Sequence, residues 1–222
     1  MKDLTTNQQL RKAVSDNLNN FSIREITDHG KKHAAVAVVV TNCDRPANIA
    51  NIKFDEKACD QAAFILTTRS AKLNSHRGQR AFPGGRIDAG ETAEQAALRE
   101  LQEEVGLQLE AEQILGRMDD YATRSGYVIT PIVIWAGNNV TMRASPDEVE
   151  LIHRIPVREL MRDDAPILES ISESQYPVLK MPLGDEWFAA PTAAIAYQFR
   201  EVALLGRSTR VVTFEQPYFA WH

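Results

Sequence analysis

At 222 residues, with 44% apolar and 25% charged residues, the chain has the size and composition of one folded globular unit, which excludes a disordered or collagen-like polymer. Its net charge of −5 excludes broad electrostatic binding to nucleic acid or to an anionic membrane. The longest apolar run, His33 to Thr41, is far shorter than the roughly 20 residues of a spanning helix, so no membrane partner is expected. The first residues lack the apolar core of a signal peptide and the last lack a peroxisomal or retention tripeptide, so the expected location is the cytoplasm.

In chain order, Leu10, Val14 and Leu18 recur every four residues and predict an amphipathic helix over residues 6–20. The β-branched content of residues 33–41 predicts a buried strand. His29 and His33, split by Gly30 at the edge of that strand, read as loop residues rather than a metal pair. Residues 42–61 are polar, contain Pro46 and lack periodicity, which predicts a long loop. Cys43 and Cys59 form no CxxC motif or disulfide framework and read as small buried thiols. Residues 62–68 predict the next strand.

Residues 85–107, GRIDAGETAEQAALRELQEEVGL, hold the strongest chemical signal. Glu100, Glu103 and Glu104 stand at i, i+3 and i+4, so on a helix their carboxylates leave one face within an arc of about 100°. Adjacent like charges destabilise a bare helix, and a hard divalent cation is the natural counter-charge. Thr92 with Gln95 three residues on predicts a capping box, and Gly106 a left-handed stop. Leu98, Leu101 and Val105 form an apolar stripe away from the carboxylates, so the acidic face is expected not to pack. Further strands are predicted at 114–118, 127–135 and 149–155, a helical turn at 158–161, a helix at 191–206 and a last strand at 209–214. Without strict βαβ alternation, a mixed sheet flanked by helices is favoured.

The series Gly85-x5-Glu91-x7-Arg99-Glu100-Leu101-x-Glu103-Glu104-x-Gly106-Leu107 matches every position of the Nudix hydrolase signature, and the chain resembles that family. The resemblance implies an α/β/α sandwich with a mixed β-sheet and hydrolysis of a nucleoside diphosphate linked to another moiety. It implies one Nudix domain over residues 1–222, with 1–32 as an N-terminal helix and lead-in and 165–222 as a C-terminal extension packed on it. Glu100, Glu103 and Glu104, with the Gly85 carbonyl, would hold Mg²⁺ or Mn²⁺. Glu91 and Arg99 would tie the loop to the helix as a structural pair. For catalysis the resemblance points to the box glutamates Glu103 and Glu104 or to a later loop offering Asp147, Glu148 and Glu150. Glu148 is the candidate base there, beside the alternative of a solvated loop acid.

Upstream, Leu66-Thr67-Thr68-Arg69-Ser70, then Lys72 through Gln79, then Phe82-Pro83-Gly84-Gly85 resembles the coenzyme A pyrophosphatase branch of the family, with Asn74 where the branch usually has arginine and Ile65 for leucine. That branch cleaves coenzyme A to 3′,5′-ADP and 4′-phosphopantetheine. Arg69, His76, Arg77, Arg80 and Arg86 become the candidate substrate-binding residues, since cations beside the box would neutralise a third phosphate. Trp187 to Ala193 resembles a branch segment only in part. The alternatives are a Nudix pyrophosphatase for ADP-ribose, a dinucleoside polyphosphate or an oxidised nucleotide, and a non-catalytic nucleotide-sensing module. The implied partner is a small nucleotide. Family members are often dimers, and Trp187, Phe188, Tyr218, Phe219 and Trp221 suit a homodimer surface or a core.

Overall fold

The computed structural model describes residues 4–72 and 77–218. Its centre is a parallel pair of eleven-residue strands, β1 (Lys32–Asn42) and β7 (Tyr127–Gly137), in register from Lys32 opposite Tyr127 to Val40 opposite Trp135. Nearly every position in β1 from Ala34 onward is buried, as expected of a strand covered on both faces. β2 (Ala62–Arg69) and the short β4 (Gly84–Arg86) pair antiparallel with different ends of β1, while β5 (Ile114–Arg117) and β6 (Tyr121–Ala122) pair antiparallel with β7. β3 (Arg80–Ala81) and β8 (Val149–Pro156) complete the sheet on β2. The sheet is therefore mixed, as the lack of βαβ alternation predicts.

Side chains alternate across β1 and so feed two cores. Ala35, Ala37 and Val39 join Ile132 and Ile134 against α2 (Ala93–Val105), whose Ala96, Ala97, Leu101 and Val105 are buried. Val38 and Val40 face the opposite core, shared with Leu10, Val14 and Leu18 of α1 (Gln8–Asn19) and Ala193 and Ile195 of α3 (Thr192–Gln198). This is the expected α/β/α sandwich. Full burial of one Leu or Val side chain contributes about 1.5–3 kcal/mol, so the α2 stripe anchors its helix firmly to the sheet.

A second, three-stranded antiparallel sheet follows, with β9 (Ile167–Glu169), β10 (Val178–Leu183) and β11 (Glu186–Ala189) in the order β11-β10-β9. Here the structure departs from the sequence reading. The strand expected at 209–214 is absent. Those residues are held by side chains instead: Arg210 Nη1 lies 2.6 Å from Asp119 and Gln198 Nε2 donates to the Thr209 carbonyl. The helix expected over 191–206 is α-helical only to Gln198, continues as a wider π-type turn over Phe199–Leu204 and closes at left-handed Gly206. Cys43 is buried, but Cys59 is exposed. Among the described residues no helix is long and apolar enough to cross a membrane.

Candidate active site

The loop entering α2 and the first turn of that helix form as the sequence dictates. The Thr92 hydroxyl accepts from the Gln95 amide while the Gln95 side chain accepts from the Thr92 N–H, completing the capping box, and Gly106 ends the helix at φ 65°. Arg99 then fastens the loop to the helix. Its Nε and Nη2 donate to the two Glu91 carboxylate oxygens at 2.9 and 3.0 Å, and Nη2 also reaches the Arg86 carbonyl at 2.9 Å. Hydrogen bonding from Arg99 holds the Glu91 carboxyl below the usual carboxylate range and pushes the guanidinium pKa up. Such a two-pronged pair fixes orientation as well as charge.

The two glycines before the box admit what no other residue would. A Cβ on Gly84 would stand 2.3 Å from the Ala35 carbonyl oxygen, and one on Gly85 would stand 2.1 Å from Glu100 Oε1. β4 thus lies close against β1, and the Glu100 carboxylate lies directly over the Gly85 backbone. Glu104 reaches the same place from one helical turn on, where its Oε2 accepts from the Gly84 N–H at 3.3 Å and its Oε1 lies 3.8 Å from Arg69 Nη1.

Contrary to the expectation that the acidic face does not pack, Glu104 is only 4% exposed. Burial pushes its carboxyl pKa up to about 8 against the opposing pull of Arg69, and the Glu100 and Glu148 charges add to the rise. The Glu100 carboxyl is raised as well, first by burial, with Arg99 opposing and Glu103 and Glu148 reinforcing. Negative charge is therefore under-compensated at this point. Glu103 differs: its side chain is 56% exposed and pairs with Arg99 Nη1 at 3.0 Å. Among the described residues no three carboxylate, histidine or cysteine groups converge as a ready-made metal cluster. The carboxylate oxygens of half-buried Glu100, paired with Arg99 Nη1 at 2.9 Å, and of buried Glu104, 3.8 Å from Arg69, nonetheless fit a hard divalent cation.

Glu148 is exposed on the loop before β8, and the Ser70 N–H donates to its carbonyl at 2.8 Å. Its charge acts on both Glu100 and Glu104. Asp147 pairs with Lys72 at 3.0 Å, and Glu150 is exposed.

Beside Gly84 and Gly85 opens a cleft of about 640 Å³. Of the cations singled out from sequence, Arg69, Arg80 and Arg86 line it. Arg86 Nε and Nη2 donate to the Tyr127 hydroxyl at 3.2 and 2.9 Å. Arg77 is exposed in the turn before β3 and does not line the cleft, and His76 lies outside the described residues. Sequence reasoning passed over Tyr127, which steadies Arg86. The opposite wall, built from Trp187, Phe188, Pro191 and Thr192, falls in the segment that resembles the branch only in part. No local spacing marks that wall, because the second sheet and α3 bring it to the box from about 100 positions further on.

The chain's residues 31–174 match the NUDIX domain model. The chain belongs to the Nudix family. Nudix relatives include the Nudix hydrolase NudL of Citrobacter koseri, 39% identical over 155 residues that cover 68% of this chain and 72% of that protein. Nudix hydrolase 3 of Caenorhabditis elegans is 39% identical over 102 residues, 44% of this chain and 42% of its own. The matched segment also spans only 54% of a Klebsiella pneumoniae NudL. A MutT/nudix family protein from Enterococcus faecalis superposes with a TM-score of 0.47 at 18% identity, covering 77% of this chain and 54% of that one.

Proposed function

We propose that this chain is a divalent-metal-dependent hydrolase of the diphosphate bond of coenzyme A and its derivatives, releasing 3′,5′-ADP and 4′-phosphopantetheine. The observation that carries the reading is the placement of Arg69, Arg80 and Arg86 along one cleft that begins at Gly84 and Gly85, next to half-buried Glu100 and buried Glu104. In a protein of net charge −5, such a concentration of guanidinium groups suits a substrate with a phosphate beyond the scissile diphosphate.

Glu100 and Glu104, with the Gly85 carbonyl, would hold Mg²⁺ or Mn²⁺. Glu103 would join them by leaving its pairing with Arg99. A divalent ion bound there would supply charge neutralisation to the diphosphate and lower the pKa of a water. The chain's own part is to orient and to move a proton. Arg99 and Glu91 keep the loop in register with α2, Arg69 and Arg80 grip phosphate oxygens, and Glu148, whose charge acts on Glu100 and Glu104, serves as general base. Residues 187–192 line the same cleft, which supports reading the whole chain as one working unit.

The test is incubation with coenzyme A and Mn²⁺ followed by chromatography for 3′,5′-ADP. Formation of that product with higher kcat/KM than for ADP-ribose, dinucleoside polyphosphates and oxidised nucleotides is the expected result. Preferential cleavage of one of those other nucleotides would move the assignment to that substrate. Binding without any turnover would make the chain a sensing module.

A further inference from the structure

Arg80 is gripped by the C-terminal segment at two points. Its Nη2 lies 2.6 Å from Glu186 Oε2 at the start of β11, and its carbonyl accepts from the Thr192 hydroxyl at 3.4 Å. Behind it, Thr68 pairs with Arg80 across β2 and β3, and the Thr68 hydroxyl meets His153 Nε2 at 2.7 Å. The arginine therefore stands on a braced strand. Its side chain is 21% exposed and lines the cleft, whereas Glu186 is 50% exposed. The Arg80 Nε is buried and has no hydrogen-bond partner among the described residues. The neighbouring Arg69, also on the cleft, has its Nε in the same condition. The same unpartnered, buried Nε recurs at Arg117, Arg154 and Arg200 outside the cleft lining, so what singles out Arg80 is its place on the cleft together with the carboxylate that holds its far corner.

We propose that Glu186 is a positioning residue for substrate selection. By taking the Nη2 corner of the guanidinium, it holds the arginine so that the part exposed on the cleft is left to a phosphate monoester carried by the substrate in addition to the scissile diphosphate. The inference rests on the proposed function in taking the ligand to be such a nucleotide, and it gives the C-terminal hairpin a part in choosing it. Charge and orientation make opposite predictions here. Judged by charge alone, Glu186 repels the phosphate, and its loss would tighten binding. As a positioning residue, its loss lets the guanidinium turn away and weakens binding.

Binding of 3′,5′-ADP and of 5′-AMP to the full chain, measured by calorimetry, separates the two. Wild-type protein is expected to prefer 3′,5′-ADP. Glu186→Ala should reduce that preference about tenfold, the loss of one charge-assisted hydrogen bond. Arg80→Ala should reduce it as much, and the double variant no further. Glu186→Gln, which keeps an acceptor oxygen without the charge, should stay within about threefold of wild type. The inference is overturned if wild type binds the two nucleotides equally, if Glu186→Ala tightens 3′,5′-ADP, or if that variant weakens both ligands equally. Its failure is distinct from that of the coenzyme A reading. A Glu186-dependent preference in a protein that leaves coenzyme A intact supports the inference and defeats the substrate. Cleavage of coenzyme A with the preference unchanged in Glu186→Ala does the reverse.

Discussion

The two walls of the cleft are built by different means. On one side, everything from Gly84 to Gly106 is set by short offsets: a capping box three residues long, carboxylates one turn apart, and an ion pair spanning eight positions. On the other side, Trp187 to Thr192 reaches the site only through the packing of a second sheet and α3 against the main one. On the proposed function, local offsets fix the chemistry, and long-range packing shapes what fits beside it. If so, damage to the first wall should slow every substrate alike, while damage to the second should reorder substrates.

The largest expected effect is on the chemical wall. Glu104→Gln should lower kcat on all cleaved nucleotides by at least about 10²–10³-fold, in proportion to the charge stabilisation lost. A loss confined to one substrate would erase the distinction between the walls. Arg99→Ala should cost roughly 10–100-fold by releasing Glu91 and the Arg86 carbonyl, with apparent metal affinity falling alongside, as read by titrating Mn²⁺ against rate.

Stability against pH follows from Glu104. Its folded pKa of about 8 lies above the ordinary 4.5, so its contribution is fully present below about 4.5 and lost as pH rises through about 8. Metal-free protein should therefore be less stable to denaturant at pH 9 than at pH 6, by on the order of 2 kcal/mol, and Glu104→Gln should flatten that slope. Metal affinity should rise over the same interval as the proton leaves. On the other wall, Trp187→Ala should change the ranking among substrates by about fivefold in kcat/KM while leaving the melting temperature near wild type, since its side chain is 45% exposed. The smallest effect belongs to Thr92→Ala, which removes the cap and should cost about 1 kcal/mol in denaturant unfolding with little change in specificity.

The legibility of the sequence divides along the same line. Strands β1, β2, β5, β7 and β8 could be read from their own composition, and α2 from its stripe and caps, because each buries residues at its own period. β4 could not. Gly84 and Gly85 carry no strand-forming side chain, and only the approach to Ala35 makes them a strand. Thr209 to Phe214 failed in the opposite sense. Its composition is that of a strand, but Arg210 is drawn to Asp119 and to the Ser22 carbonyl, and these side-chain bonds decide the path of the backbone. The offsets of Glu100, Glu103 and Glu104 were plain in the sequence, yet their unequal exposure was not. It depends on β4 and Arg69 closing over Glu104 while Arg99 holds Glu103 at the surface.

The distance along the chain between the two walls also has a consequence for synthesis. The sheet that carries the box ends with β8 at Pro156, 31 residues before Trp187. At about 5–20 residues per second, a ribosome takes roughly 2–6 seconds to add the intervening segment. For those seconds the acidic helix and its supporting strands have been translated while the far side of the cleft has not. A chain halted at that stage would carry the box carboxylates but neither the far wall of their cleft nor the part of the core that α3 and the second sheet supply.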